Sequence, residues 1–113
     1  MAEYEPALRT PELGPGEVRE VQVHGRALAV INIGQTYYAL DAICPDDGTN
    51  LARDARLEED AFICPVDAAR FDARSGRRLS PGAGDDLARY AIRVVENTVL
   101  VGPRLTGRRD AAA

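Results

Sequence analysis

The stretch AICPDDGTNL, residues 42–51, sets a cysteine, a proline and two aspartates in one tight bend. A second stretch, ICPVDAARFD at residues 63–72, repeats the device with Cys64, Pro65 and Asp67. These are the only two cysteines in the chain, and each sits in a Cys-Pro turn with a carboxylate just behind it. The spacing is Cys44-x-Asp46, then seventeen residues, then Cys64-x-x-Asp67. Proline after each cysteine stiffens the turn and removes a backbone N–H that would need a partner. Gly48 lets the first loop fold back. In a secreted chain such a pair would read as a disulfide, whereas in a cytosolic one metal binding or redox chemistry is the expected use.

Working outward, 113 residues make one domain with a modest core, expected to be soluble and globular. No apolar run approaches the roughly 18 residues of a membrane span. The opening MAEYEPALRTPELGPGE is acidic and broken by proline and glycine, unlike a signal peptide, so a cytoplasmic location is expected. The formal net charge of −4 argues against nucleic acid and suits docking on a basic partner surface. All 14 basic residues are arginine, which says little about mechanism.

Strands are expected at EVREVQV (17–23), RALAVINI (26–33), TYYALD (36–41), ARYAIRVV (88–95) and TVLVG (98–102). His24-Gly25, Gly34-Gln35 and Glu96-Asn97 are the turns between them. In the third run, alternation puts Tyr37, Ala39 and Asp41 on one face and Tyr38 and Leu40 on the other. The first 16 residues read as a lead-in, and the tail at about 103–113 as frayed. Residues 42–86 differ: glycine, proline and aspartate crowd around the short runs AFIC (61–64) and RFDA (70–73). The one helical turn, near 50–54, looks too short to matter. The fold class is therefore all-β, a scaffold built from both chain ends carrying a loop-rich insert that holds both cysteines.

The stretch 37–80 resembles a Rieske iron–sulfur domain. That family carries Cys-x-His, about 16 or 17 residues, then Cys-x-x-His, usually with prolines after the cysteines. Gly-x-x-Phe-Asp-x-x-(Thr/Ser)-Gly commonly follows. Here Cys44-Pro45-Asp46-Asp47-Gly48 and Cys64-Pro65-Val66-Asp67-Ala68-Ala69-Arg70-Phe71-Asp72-Ala73-Arg74-Ser75-Gly76 stand in those places. LSPGAG at 79–84 resembles the proline loop that covers the cluster, with Pro81 as its proline. The likeness runs over about residues 10–102. It implies a Rieske-like antiparallel β sandwich or barrel with a cluster-binding subdomain at about 42–86. The sequence holds no extra cysteine pair, and no membrane anchor of the respiratory type is expected. It resembles the soluble ferredoxin type, which carries single electrons from a flavin-dependent reductase to a terminal oxygenase and is not a catalyst alone. No nucleophile–base arrangement argues otherwise, since the one histidine, His24, lies in a hairpin turn.

The departure is that aspartate holds both histidine positions, and Ala68 replaces a usual glycine. Aspartate Oδ and histidine Nδ1 lie equally far along the side chain, so the exchange keeps the ligating atom at nearly the same reach. Carboxylate oxygen can hold iron or zinc. Three readings follow for Cys44, Asp46, Cys64 and Asp67. The first is a [2Fe-2S] cluster with the cysteines on one iron and the aspartates on the other. The second is a cluster-free docking or structural subunit, its cysteines thiols or a disulfide. The third is a single zinc or iron on two thiolates and two carboxylates. Retention of both cysteines, with one ligand-capable residue type at both other positions, favours the first. An oxidised two-iron, two-sulfide core is formally dipositive. Two thiolates neutralise it, and two carboxylates then leave a dianion, the charge of a four-thiolate site. The expected potential is therefore low, near the roughly −400 mV of plant-type ferredoxins, and without the pH dependence of imidazole deprotonation.

Around the loops, a Tyr37 or Tyr38 hydroxyl near a cluster sulfur would tune the potential; core packing is the other reading. Phe71 is expected to pack beneath the site. Asp47 reads as a solvated charge, as do Arg70, Arg74, Arg77 and Arg78, and Ser75-Gly76 as a turn with a geometric role.

Overall fold

A computed structural model describes residues 3–45, 48–65, 69–79 and 85–105. Among the described residues nine strands occur, and every pairing is antiparallel. The strands are β1 (Glu5–Arg9), β2 (Val18–Val23), β3 (Arg26–Ile33), β4 (Thr36–Asp41), β5 (Arg56–Glu58), β6 (Ala61–Ile63), β7 (Arg70–Asp72), β8 (Arg89–Val95) and β9 (Thr98–Leu105). One four-residue helix, α1, spans Leu51–Asp54. A six-stranded sheet runs β1-β9-β8-β4-β3-β2, and its two edge strands approach each other so that it nearly closes. A separate three-stranded sheet, β5-β6-β7, lies between β4 and β8 in the chain. The expected all-β class is the observed one.

Four two-residue hairpin turns carry most of the connectivity. His24-Gly25, Gly34-Gln35, Glu59-Asp60 and Glu96-Asn97 all have positive φ at both positions. This is the primed turn whose twist matches that of the flanking strands. Three of them are the turns read from the sequence. The fourth, Glu59-Asp60, is not, because Glu59 disfavours the left-handed region and the pair carries no glycine or asparagine to mark a turn. Glutamate at φ 50° in Glu96-Asn97 is equally ill-suited. Replacing Glu96-Asn97 by Asn-Gly, the preferred pair for this turn, is expected to stabilise the domain by about 0.5–1 kcal/mol, read as a higher urea midpoint at unchanged slope.

The strand β1 is a correction to the lead-in expectation. It pairs with β9 from Glu5↔Val101 to Arg9↔Thr98, with a register shift between Pro6 and Leu8. Proline within so short a run hides a strand in the sequence, yet an edge strand tolerates it because one side of its backbone needs no ladder partner. At the other end, β9 continues past the TVLVG run to Leu105, opposite Arg89. Residues 106–113 lie outside the described residues.

β3 explains how the two sheets share a core. Its run RALAVINI is buried on both faces. Leu28 and Val30 point into one apolar cluster with Leu8, Leu13, Val23 and Ala39. Ala29 and Ile31 point into the other, with Leu40, Leu51, Phe62 and Phe71. The strand is thus the wall between the barrel interior and the segment packed on it, which is why it reads as continuously apolar. β4 divides as expected: Tyr37 and Ala39 belong with the first cluster, Tyr38 and Leu40 with the second. Asn32 is the one buried polar side chain among the described residues. Its Nδ2 donates to the Leu13 carbonyl at 2.9 Å, and its Oδ1 accepts from the Gln35 amide at 2.9 Å, so both ends of the group are satisfied.

Candidate metal centre

Cys44 and Cys64 belong to the same apolar cluster, with Phe62, Phe71, Leu51 and Leu87 around them. Both are buried thiols, each followed by an exposed proline. Phe71 is fully buried beneath them, as expected. The two loops are closed in the same way. The Cys44 amide donates to the Thr49 carbonyl at 2.8 Å, and the Cys64 amide donates to the Ala69 carbonyl at 2.9 Å. Each cysteine therefore opens a loop pinned five residues later. The sequence positions of Asp46 and Asp67 fall inside these closures.

The closures rest on different supports. The second extends from β6 and β7, whose ladder pairs Ile63 with Arg70. The first is an arm of its own. Leu51 N donates to Ala42 O at 2.6 Å, Ile43 bridges Asn50, and Gly48 N donates to Cys44 O at 3.0 Å. Grooves flank both. One of about 320 Å³ is lined by Arg56, Ile63, Cys64 and Pro65. Another of about 470 Å³ runs beside Pro45 and includes Asp41, Asp85 and Asp86.

Asp46, Asp47, Asp67, Ala68 and Pro81 lie outside the described residues. Among the described residues no group of three or more His, Cys, Asp and Glu side chains gathers as a metal site. The proposed ligand set could not appear there, since half of it lies outside them. His24 is in its turn, as read, with Nε2 3.6 Å from Glu5.

Both tyrosines are packed in the core and have other contacts. The Tyr37 hydroxyl reaches the Thr10 carbonyl at 3.5 Å, and Tyr38 packs against the cluster that holds the thiols. Arg74 pairs with Asp60 at 3.0 Å, and Arg78 lies over the Phe71 ring at 5.4 Å. Arg74 is thus an exposed charge in a surface ion pair, as expected, whereas Arg78 is half-buried against Phe71 rather than solvated. The sequence reading missed Tyr90, whose hydroxyl donates to Asp41 at 2.8 Å just ahead of the first loop. Burial pushes its phenol above the usual tyrosine range, and the hydrogen bond to Asp41 adds to the shift. A raised folded-state value means stability that is present below pH 10 and lost as pH rises through that value. In a 295 nm titration one of the four tyrosines is expected to ionise late, and that component should vanish in Tyr90→Phe.

Residues 3–91 match the model of the family described as the Rieske [2Fe-2S] domain. The chain belongs to the Rieske family. Among curated proteins, this Rieske chain is 28% identical over 90 residues to the ferredoxin component of a naphthalene 1,2-dioxygenase system from Pseudomonas aeruginosa, covering 80% of this chain and 86% of that protein. It is 27% identical over 95 residues to the biphenyl dioxygenase ferredoxin subunit of Pseudomonas sp. strain KKS102, covering 84% and 87%. Among solved structures, the ferredoxin of carbazole 1,9a-dioxygenase from Nocardioides aromaticivorans IC177 superposes with a TM-score of 0.81 at 24% identity, covering 88% of this chain and 97% of that one. Family membership implies a [2Fe-2S] cluster, and two buried thiols on matched loops in a single apolar cluster are chemically suited to ligating iron. Among the described residues no helix is long and apolar enough to cross a membrane.

Proposed function

We propose that this Rieske chain is a one-electron carrier of the ferredoxin type, serving a multicomponent dioxygenase and not acting as a catalyst alone. The observation that carries this reading is the pair of identical closures, Cys44 to Thr49 and Cys64 to Ala69, with both thiols in one apolar cluster. Cys44 and Cys64 would hold one iron of the cluster, and Asp46 and Asp67 the other. The bound cluster supplies a centre that accepts and returns one electron.

The chain's own residues do the rest. Burial of the thiols among Phe62, Phe71 and Leu51 keeps water from them. Pro45 and Pro65 stiffen the loops where they meet solvent. Ile43 and Leu79, 43% and 53% exposed, offer apolar contact in the same region. A small apolar contact surface with a net negative charge suits brief encounters steered by charge, which an electron carrier needs in order to leave as readily as it arrives. The acceptor is a terminal oxygenase, by analogy with the relatives named above, and the donor a flavin-dependent reductase. The location is cytoplasmic.

Chemical analysis with a reductive titration tests this. The protein, purified or reconstituted without oxygen, should be brown, hold about two irons and two acid-labile sulfides per chain, and take up one electron. Zinc without sulfide would assign a single-metal site instead. Colourless protein with no titratable thiols would assign a bridged, cluster-free subunit.

A further inference from the structure

The helix α1 puts Leu51 into the core beside the thiols, and on its outer side it is tied to the barrel by a partly exposed contact. Glu20, on β2, has a side chain only 20% exposed. Its Oε1 accepts from Arg53 Nε at 2.7 Å, and its Oε2 accepts from Asn50 Nδ2 at 3.2 Å. Both oxygens are used, and both partners lie on the far limb of the first cysteine arm. Asn50 caps α1, its Oδ1 accepting from the Arg53 amide at 3.2 Å, and it bridges to Ile43, the neighbour of Cys44. Arg53 and Asn50 in turn hold the Glu20 carboxyl below its usual range.

From this we infer that Glu20 is a positioning residue for the Cys44 loop. It fastens residues 50–53 to β2, and through the 42–51 ladder it fixes the thiol of Cys44 relative to that of Cys64. The two cysteine loops are thus held by unlike means: the second by a strand ladder, the first by its own short backbone ladder and buried Leu51, with the carboxylate clasp fastening its far limb to β2. A paired, hydrogen-bonded carboxylate is directional, so it can set the orientation of the arm as well as its distance. Residues 30 and 33 positions away in sequence meet at this one side chain.

Hydrogen exchange read by mass spectrometry on the whole protein tests the clasp directly. In Glu20→Ala, exchange in segment 42–51 should accelerate by about tenfold, because local opening is governed by local contacts. Segments 26–33 and 61–71 should keep their rates. Glu20→Gln retains one acceptor and should show a smaller, still selective change. Arg53→Ala should behave like Glu20→Gln. Uniform acceleration of all segments, or no change in 42–51 in either Glu20 variant, would overturn the inference. A second readout rests on the proposed function: the half-time of iron loss to a chelator should shorten several-fold in Glu20→Ala. Selective exchange in 42–51 with no bound iron to lose would uphold the clasp while removing the electron-carrier reading.

Discussion

Replacing Asp46 and Asp67 together by histidine should raise the reduction potential by at least about 200 mV, from near the plant-type ferredoxin range into that of histidine-ligated centres. The reason is charge. Two carboxylates give the oxidised centre two more negative charges than two neutral imidazoles, and added negative charge disfavours taking up an electron. The exchange is nearly isosteric at the ligating atom, so the loops need not be rebuilt to accept it. The potential of the double variant should also fall with rising pH as the imidazoles deprotonate, a dependence expected to be absent with aspartate. Protein-film voltammetry across pH measures both effects. Equal potentials in the two proteins would mean that the aspartates do not touch iron.

The second large effect is on stability. Gly76 has φ 79°, and a Cβ there would lie 2.3 Å from the Leu87 carbonyl oxygen and 3.3 Å from Leu40 Cδ2. The approach is that close because the Leu87 amide donates to the Gly76 carbonyl at 2.8 Å, while Gly76 itself donates to Asp72. This pins the turn after β7 to the chain entering β8, directly under the apolar cluster that holds both thiols. Alanine at 76 combines a left-handed backbone with collision against backbone, costing about 3 kcal/mol or more. For a domain of this size that lowers the thermal midpoint by about 12–20 °C. Gly34→Ala is the control: φ is 58° but nothing lies within 4 Å of the added carbon, so about 1 kcal/mol is expected. Equal midpoint shifts in the two variants would show that contact with Leu87 is not what the glycine at 76 secures.

The legible parts of this chain were those where local chemistry and tertiary structure agree. His24-Gly25 and Gly34-Gln35 are good turn pairs and became turns. The alternation in TYYALD sorted Tyr37 from Tyr38 correctly between the two cores. The paired Cys-Pro loops point to the family from sequence alone. What escaped was set by partners distant in sequence. β1 is recognisable only beside β9, since Pro6 breaks its pattern. Glu59 takes a left-handed backbone against its preference because β5 and β6 pair around Glu59-Asp60. Helix α1 is short enough to look unimportant in sequence, yet it presents Asn50 and Arg53 to Glu20, a meeting that no local pattern announces. Tyr90 likewise gives no sign in sequence of its bond to Asp41, 49 residues away.

Mössbauer spectroscopy of ⁵⁷Fe-reconstituted, oxidised protein tests the central claim most directly, that two cysteines bind one iron and two aspartates the other. Two quadrupole doublets of equal area are expected, one typical of iron in all-sulfur coordination and one of higher isomer shift from iron with oxygen donors. Asp67→Ala should perturb the second doublet and leave the first in place. A single doublet, or a pair that Asp67→Ala leaves untouched, would contradict the account.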